Sequence, residues 1–92
     1  MSEARRSCTI VNQRGLHARA SAKFVNAVAA LPSGCQVRVA KDGNEAGGGS
    51  ILGLMMLGAA KGDTVEVIVT GEDAEVVLAE MCALIDDGFG ED

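Results

Sequence analysis

The sequence predicts an α+β fold: an open-faced two-layer sandwich in the order βαββαβα, with a four-stranded antiparallel sheet and three helices on one face. Runs at 35–39 and 64–70 alternate apolar and polar residues, as half-buried strands do. Runs at 18–31 and 74–85 repeat apolar residues every three or four positions, as amphipathic helices do. A chain of 92 residues can bury one small core, so we expect a single domain spanning 1–92.

The first half of the chain supplies a strand, a helix and a hairpin. The first strand is predicted at 7–11, where small apolar residues alternate with polar ones. The helix at 18–31 should end before Pro32, because proline disfavours helical geometry in the residue before it. After the alternating second strand, the dipeptide at 42–43 is Asp-Gly, which is typical of a tight hairpin turn. The returning strand, 44–46, has no β-branched residue and is expected to be short.

A second, shorter helix is predicted at 51–57, with Ser50 as its N-cap and Gly58 at its end. Nearly all of its residues are apolar. It is therefore either a buried core helix or a helix that presents one hydrophobic face to a partner, and Met55 and Met56 suit a face that adapts to different partners.

The alternation at 64–70 predicts the most regular strand, with Ile68 on the outward side together with Glu66. Thr70 is expected to cap the last helix, whose favourable acidic first turn would contain Glu72, Asp73 and Glu75. Gly88 should end this helix, and the residues after it are expected to fray.

Charge and cysteine content exclude several classes of function. A formal net charge of -5 argues against non-specific nucleic-acid binding, and the local excess of basic residues lies near the N-terminus. From Asp63 onward the chain has acidic residues and no basic one. The cysteines, Cys8, Cys35 and Cys82, have no metal-ligand spacing, so we expect reduced thiols, no metal and a cytoplasmic protein. The apolar run at 51–60 is too short for a membrane span.

The stretch Gly15-Leu16-His17-Ala18-Arg19 contains the only histidine, at the junction between the first strand and the first helix. A helix start offers free N–H groups and a positive potential, and a neutral imidazole is a nucleophile. His17 could therefore accept a phosphoryl group whose charge Arg19 stabilises. The alternative at this point is a surface histidine that only caps a helix. The glycines at 47–53 fit neither a P-loop nor a dinucleotide-binding motif.

These residues resemble a known family. The 15–19 motif looks like the active site of the HPr family, the histidine-containing phosphocarriers of the bacterial phosphoenolpyruvate-dependent phosphotransferase system. The segment 50–58, followed by Lys61-Gly62-Asp63, is similar to that family's second signature. The resemblance covers nearly the whole chain, and the family has the element order derived above.

The resemblance implies a role for each matching residue. His17 would accept a phosphoryl group on Nδ1 from enzyme I and pass it to an EIIA-type acceptor, with Arg19 supporting the phosphoryl oxygens. Ser50 matches the serine that a dedicated HPr kinase/phosphorylase modifies in many bacteria. The implied protein is a carrier without its own turnover, a monomer that needs no cofactor. Partner docking is expected through a set of apolar residues: Leu16, Ile51, Leu52, Leu54 and Met55.

Three departures from the family pattern are visible. Ala20 stands where the family usually has proline, which bears on local rigidity more than on chemistry. Gly47-Gly48-Gly49 replaces a more ordinary strand end and could loosen the loop before Ser50. The chain is also slightly longer near 31–34 than the family pattern.

Other functions stay open beside the carrier in sugar uptake. The first is a regulatory, nitrogen-type branch of the same system. The second is a signalling module that docks through Ser50 and the following helix while His17 is vestigial. A small hydrolase using His17 as a base is a third, but the sequence shows no positioned nucleophile for it.

Overall fold

The computed structural model describes residues 2–32 and 34–91, and its elements follow the predicted βαββαβα order. A 3₁₀ turn at Gly88–Gly90 follows the last helix. The α+β prediction is confirmed. The elements are β1 (Glu3–Thr9), α1 (Ala18–Ala29), β2 (Cys35–Lys41), β3 (Asn44–Gly47), α2 (Ile51–Met56), β4 (Thr64–Gly71) and α3 (Ala74–Asp86).

The four strands form one antiparallel sheet in the order β1-β4-β2-β3. Strand β4 is central, so its Val67 lies opposite Arg6 of β1 on one side and Val39 of β2 on the other. Helix α3 packs on β1 and β4, while α2 packs against α1 and β3. No helix within the described ranges is long and apolar enough to cross a bilayer.

The core lies between the sheet and the helices. The inward residues of β4 are fully buried, as the alternation predicts, and Phe24 of α1 and Leu78 of α3 belong to the same buried cluster. Burying an aliphatic or aromatic side chain of this size contributes about 1.5–3 kcal/mol each. The buried residues of β4 on this face are Val65, Val67 and Val69.

Ile68 faces away from the helices, as predicted, yet it has no exposed surface. In the sheet register it lies between Arg5 of β1 and Arg38 of β2. Residues directly opposite on neighbouring strands pack side by side, so the two arginine stems shield it. Ion pairs hold these arginines in place: Arg5 with Glu3 and Glu66, and Arg38 with Glu3 and Glu45.

Two predicted boundaries in the N-terminal half are wrong. Strand β1 starts at Glu3 and ends at Thr9, because pairing with β4 runs from Glu3 opposite Thr70 to Thr9 opposite Thr64. Helix α1 ends at Ala29, two residues early, and Leu31 N instead donates to Val28 O in a tight last turn.

The prediction that Thr70 caps the last helix is also wrong. Thr70 is a β4 residue that pairs with both neighbouring strands. Helix α3 starts four residues later, with Asp73 at the N-cap position in a left-handed conformation and without a side-chain capping bond. Of the three acids expected in the first turn, only Glu75 lies there.

The residues after Gly88 are ordered against the core, so the prediction of a frayed tail is wrong for residues up to 91; Asp92 lies outside the described residues. Phe89 is 1% exposed and packs in the core. Its carbonyl accepts a 2.7 Å hydrogen bond from Lys23 Nζ of α1. An aromatic anchor and a charged donor therefore fix the tail beside the start of α1.

Candidate functional site

The loop between β1 and α1 is shaped by a glycine turn. Gly15 has φ +63°, and its N–H donates to Asn12 O at 3.2 Å. The next residue, Leu16, donates its N–H to Ala59 O at 3.0 Å and buries its side chain. The turn and the loop at Ala59 together place His17 at the first position before α1.

His17 is the N-cap of α1, in extended conformation. Its Nδ1 accepts a 3.3 Å hydrogen bond from the backbone N–H of Arg19, so Nδ1 carries a lone pair directed at the helix N-terminus. Its Nε2 lies 2.5 Å from Glu91 Oε2. A carboxylate can only accept, so the proton of the neutral ring is on Nε2. The side chain is 14% exposed.

Glu91 is itself held by Asn12. The Asn12 amide nitrogen donates to Glu91 Oε1 at 3.0 Å and to Gly15 O at 2.8 Å, which uses both of its hydrogens. The hydrogen bond from Asn12, together with that from His17 and the charge of Lys23, holds the pKa of the Glu91 carboxyl below its ordinary value. Glu91 is therefore ionised at neutral pH.

A basic cleft of about 490 Å³ lies beside His17, between the first loop, α1 and the tail. Within the described ranges, no carboxylate forms an ion pair with Arg14 or Arg19 of this cleft. The first turn of α1 contains no acidic residue that would oppose an anion. The cleft can therefore receive a doubly charged group close to His17, which contacts two of the lining residues, Arg19 and Glu91. Its lining residues are Gln13, Arg14, Arg19, Lys23, Gly90 and Glu91.

Ser50 caps α2, as predicted. Its Oγ accepts a 2.9 Å hydrogen bond from Gly53 N, and the residue is exposed. The preceding glycine run is tied to the sheet, because Gly47 is the last residue of β3 and Gly48 N donates to Val37 O at 2.8 Å. The Ser50 hydroxyl is therefore both accessible and close to free N–H groups of a helix start.

The apolar residues of α2 divide between two faces. Leu54 has no exposed surface and Leu16 is only 6% exposed, so both belong to the core. Their assignment as docking residues is wrong because no partner can reach buried side chains. The exposed face, here called the α2 patch, contains Leu52 at 67% exposure and Met56 at 77%, together with Ile51 and Met55.

Sequence reasoning missed Asn12 and Glu91, and it left Met56 out of the docking residues although it had noted that this methionine suits a partner-facing surface. Met56 lies four residues after Leu52, the spacing of one helix face, and that spacing could have identified it. Asn12 was assigned only to a loop. No sequence signal joins Glu91 to His17, since 74 residues separate them.

The cysteines are free thiols. Burial and the neighbouring Cys82 thiol raise the pKa of Cys8 to about 12. Cys8 therefore stays protonated and unreactive near neutral pH.

Comparison with known proteins agrees with this geometry. The model of the PTS HPr component phosphorylation site matches residues 4–87. The phosphocarrier protein NPr of Shewanella violacea is 36% identical over 91 residues, which covers 99% of this chain and 98% of that protein. The phosphocarrier protein HPr of Neisseria meningitidis is 41% identical over 87 residues, 95% of this chain and 96% of that protein.

Solved structures show the same relationship. The crystal structure of HPr-C-His from Thermoanaerobacter tengcongensis superposes with a TM-score of 0.85 at 35% identity. The match covers 100% of this chain and 99% of that one. The chain belongs to the HPr family of phosphocarrier proteins of the phosphotransferase system.

Proposed function

We propose that this carrier accepts a phosphoryl group on His17 Nδ1 from enzyme I and passes it to an EIIA-type acceptor. The observation that supports this most directly is the hydrogen bond from Arg19 N to Nδ1. It leaves the lone pair of Nδ1 at a helix N-terminus, where an anion is favoured. Arg19 and Glu91, which contact the two ring nitrogens, also line the cationic cleft.

The transfer would need no proton movement at Nδ1. The Nδ1 lone pair forms a bond to phosphorus, the bond from phosphorus to the donor breaks, and the donor keeps that electron pair. The three phosphoryl oxygens would then contact Arg19 and the first N–H groups of α1, with Arg14 across the cleft. Onward transfer is the reverse sequence with a new acceptor. The chain would thus act as one carrier domain without turnover of its own, and without a cofactor.

The α2 patch would supply the docking surface for both partners. It presents four exposed apolar side chains on a six-residue helix, two of them methionines that adapt to different surfaces. A monomeric carrier in the cytoplasm could expose it to successive enzymes. Docking through this patch would bring the partner's reactive group to the nearby start of α1, since α1 and α2 pack together.

Incubation with enzyme I and phosphoenolpyruvate tests the proposal. We expect the intact mass to rise by one phosphoryl group, and we expect mild acid to remove that group because phosphoramidates are acid-labile. A folded chain that gains no phosphoryl group, with several enzyme I preparations of proven activity, would contradict the carrier role of His17. An acid-stable group would assign the label to a hydroxyl such as that of Ser50 instead.

Ser50 would act as a regulatory phosphorylation site. We expect Ser50→Asp to lower the affinity for enzyme I by about tenfold, because a negative charge beside the α2 patch opposes an acidic partner. The melting temperature should change by less than about 2 °C, because the helix N-terminus tolerates an anion. Isothermal titration with enzyme I measures the first quantity. Gln36→Asp is the matched control, since it adds the same charge to the sheet face away from the helices. Equal affinities for the two variants would contradict regulation through docking.

A regulatory, nitrogen-type branch is the second candidate for the pathway. The similarity to NPr of Shewanella violacea fits it, whereas the HPr relatives fit sugar uptake at least as well. The acceptor would discriminate the two branches. Phosphoryl transfer from this carrier to a sugar-specific EIIA and to a nitrogen-type EIIA, measured side by side, should favour one of them.

A further inference from the structure

The tail brings a carboxylate to the only histidine through three separate anchors. Phe89 is buried in the core, Lys23 Nζ donates to its carbonyl, and Asn12 Nδ2 donates to Glu91 Oε1. These contacts come from the tail, from α1 and from the first loop. The position of Glu91 is therefore fixed by its surroundings, independently of His17.

Both ring nitrogens of His17 are engaged as a result. Nδ1 accepts from Arg19 N at 3.3 Å, and Nε2 donates to Glu91 Oε2 at 2.5 Å. The two hydrogen bonds require the same tautomer, with the proton on Nε2. When Nδ1 bonds to phosphorus, the ring gains a positive charge, and a carboxylate on Nε2–H stabilises that charge.

We propose that Glu91 is a positioning residue for His17, which holds the proton of the neutral ring on Nε2 and stabilises the cationic ring as the phosphorus–nitrogen bond forms. This inference rests on the proposed role of His17 as the phosphoryl acceptor. Glu91 does not touch the phosphoryl group; it acts through the imidazole. The site thus has an acid–imidazole pair built from opposite ends of the chain.

The charges around Glu91 favour this role. Arg14, Arg19 and Lys23 line the cleft that it borders, and they offset the repulsion between its carboxylate and an incoming phosphoryl group. The Asp87 carboxylate and the Lys23 ammonium both lie near Gly90 on the tail side. Three cations and one carboxylate, that of Glu91, therefore line the cleft before the phosphoryl group arrives.

Two substitutions of Glu91 separate positioning from simple packing. In Glu91→Gln, the amide oxygen must face Asn12 Nδ2, which is a donor, so the amide NH₂ faces His17 Nε2. Nε2 then becomes the acceptor and the proton moves toward Nδ1, which blocks the nucleophile. In Glu91→Ala, the ring loses its partner but no donor forces the wrong tautomer. Glu75→Gln, at the opposite end of α3, is the charge-matched control.

Nitrogen-15 NMR of the imidazole reports the tautomer without any phosphotransferase partner. We expect the Nε2–H form in the natural chain and in Glu75→Gln, and an increased Nδ1–H fraction in Glu91→Gln. Rapid-quench transfer from phosphorylated enzyme I should be about tenfold slower in Glu91→Ala, the typical effect of losing a charged hydrogen bond. It should be slower again in Glu91→Gln.

Whether Glu91→Gln or Glu91→Ala transfers the phosphoryl group more slowly decides between a positioning role and a packing role for Glu91. If Glu91 only packs against its neighbours, Glu91→Ala, which removes more contacts, should transfer the phosphoryl group at least as slowly as Glu91→Gln, and the tautomer of His17 should not change. That result would overturn the proposal. Equal rates in Glu91→Gln, Glu91→Ala and Glu75→Gln would overturn it too. If the natural chain accepts no phosphoryl group, the carrier role fails while the NMR result still decides whether Glu91 sets the tautomer.

Discussion

Replacing His17 with asparagine will abolish acid-labile phosphorylation while the chain keeps its fold. Asparagine removes the imidazole nucleophile but retains a side-chain acceptor that can cap α1, where His17 Nδ1 now accepts from Arg19 N. Asparagine is among the best N-cap residues, so the loss of capping should lower the free energy of unfolding by less than about 1 kcal/mol. The loss of function would then be chemical and not structural.

His17→Ala is the matched variant for this prediction. It removes nucleophile and cap together, so it should also accept no phosphoryl group but lose about 1 kcal/mol more than His17→Asn. Both variants lose the hydrogen bond with Glu91, so the cost of that loss cancels when their free energies of unfolding are compared. Intact-mass measurement after incubation with enzyme I and phosphoenolpyruvate gives the first result, and urea unfolding gives the second. An acid-labile group retained by His17→Asn would show that the acceptor is another residue.

The regular elements could be predicted because their signals are local. Strand β4 alternates over its whole length, and the apolar stripe of α1 repeats at helical spacing, so each pattern specifies its own structure. The ends of elements depend on tertiary pairing. Thr70 resembles a helix cap in sequence, yet both neighbouring strands pair with it. Threonine is common both at helix N-caps and in strands, so only the sheet register shows that Thr70 belongs to β4.

The short helix α2 shows a different limit. Its residues are apolar all round, so hydrophobicity alone could not divide Leu54, which is buried, from Met56, which is exposed. The division follows from which side of α2 packs against α1 and β3. Sequence reasoning identified the helix and its Ser50 cap correctly, but it placed the buried Leu54 among the docking residues and left the exposed Met56 out of them, although it had noted that Met56 suits a partner-facing surface.

Only part of the candidate site could be predicted from the sequence. His17 and Arg19 lie in one short motif, so their proximity to a helix start could be predicted. Glu91 reaches them only because Phe89 turns the chain back into the core after α3. Phe89 adopts φ +58°, a conformation that a sequence pattern does not predict for phenylalanine. The polar residues around it resemble an ordinary frayed terminus.

Gly15→Ala is expected to destabilise the chain by about 3 kcal/mol and to displace His17 from its position. The residue has φ +63°, which costs a non-glycine residue about 1–2 kcal/mol. A Cβ there would also lie 2.3 Å from Ala59 O and 2.9 Å from Ala60 Cα. Both are backbone atoms, so the loop must move and the 3.0 Å bond from Leu16 N to Ala59 O is lost. A lost buried hydrogen bond adds about 1–3 kcal/mol.

Gly58→Ala separates the backbone strain from the steric clash. Gly58 has nearly the same conformation, φ +68°, but nothing lies within 4 Å of its added Cβ. It should therefore lose only about 1–2 kcal/mol. Urea unfolding of the two variants gives the difference directly. A larger loss of unfolding free energy in Gly15→Ala would show that the contact between the Gly15 turn and the loop at Ala59 holds the start of α1 in place. The same contact would then fix the position of the His17 Nδ1 lone pair. Equal losses would mean that the loop moves aside at no cost, and the turn would then contribute only its conformation.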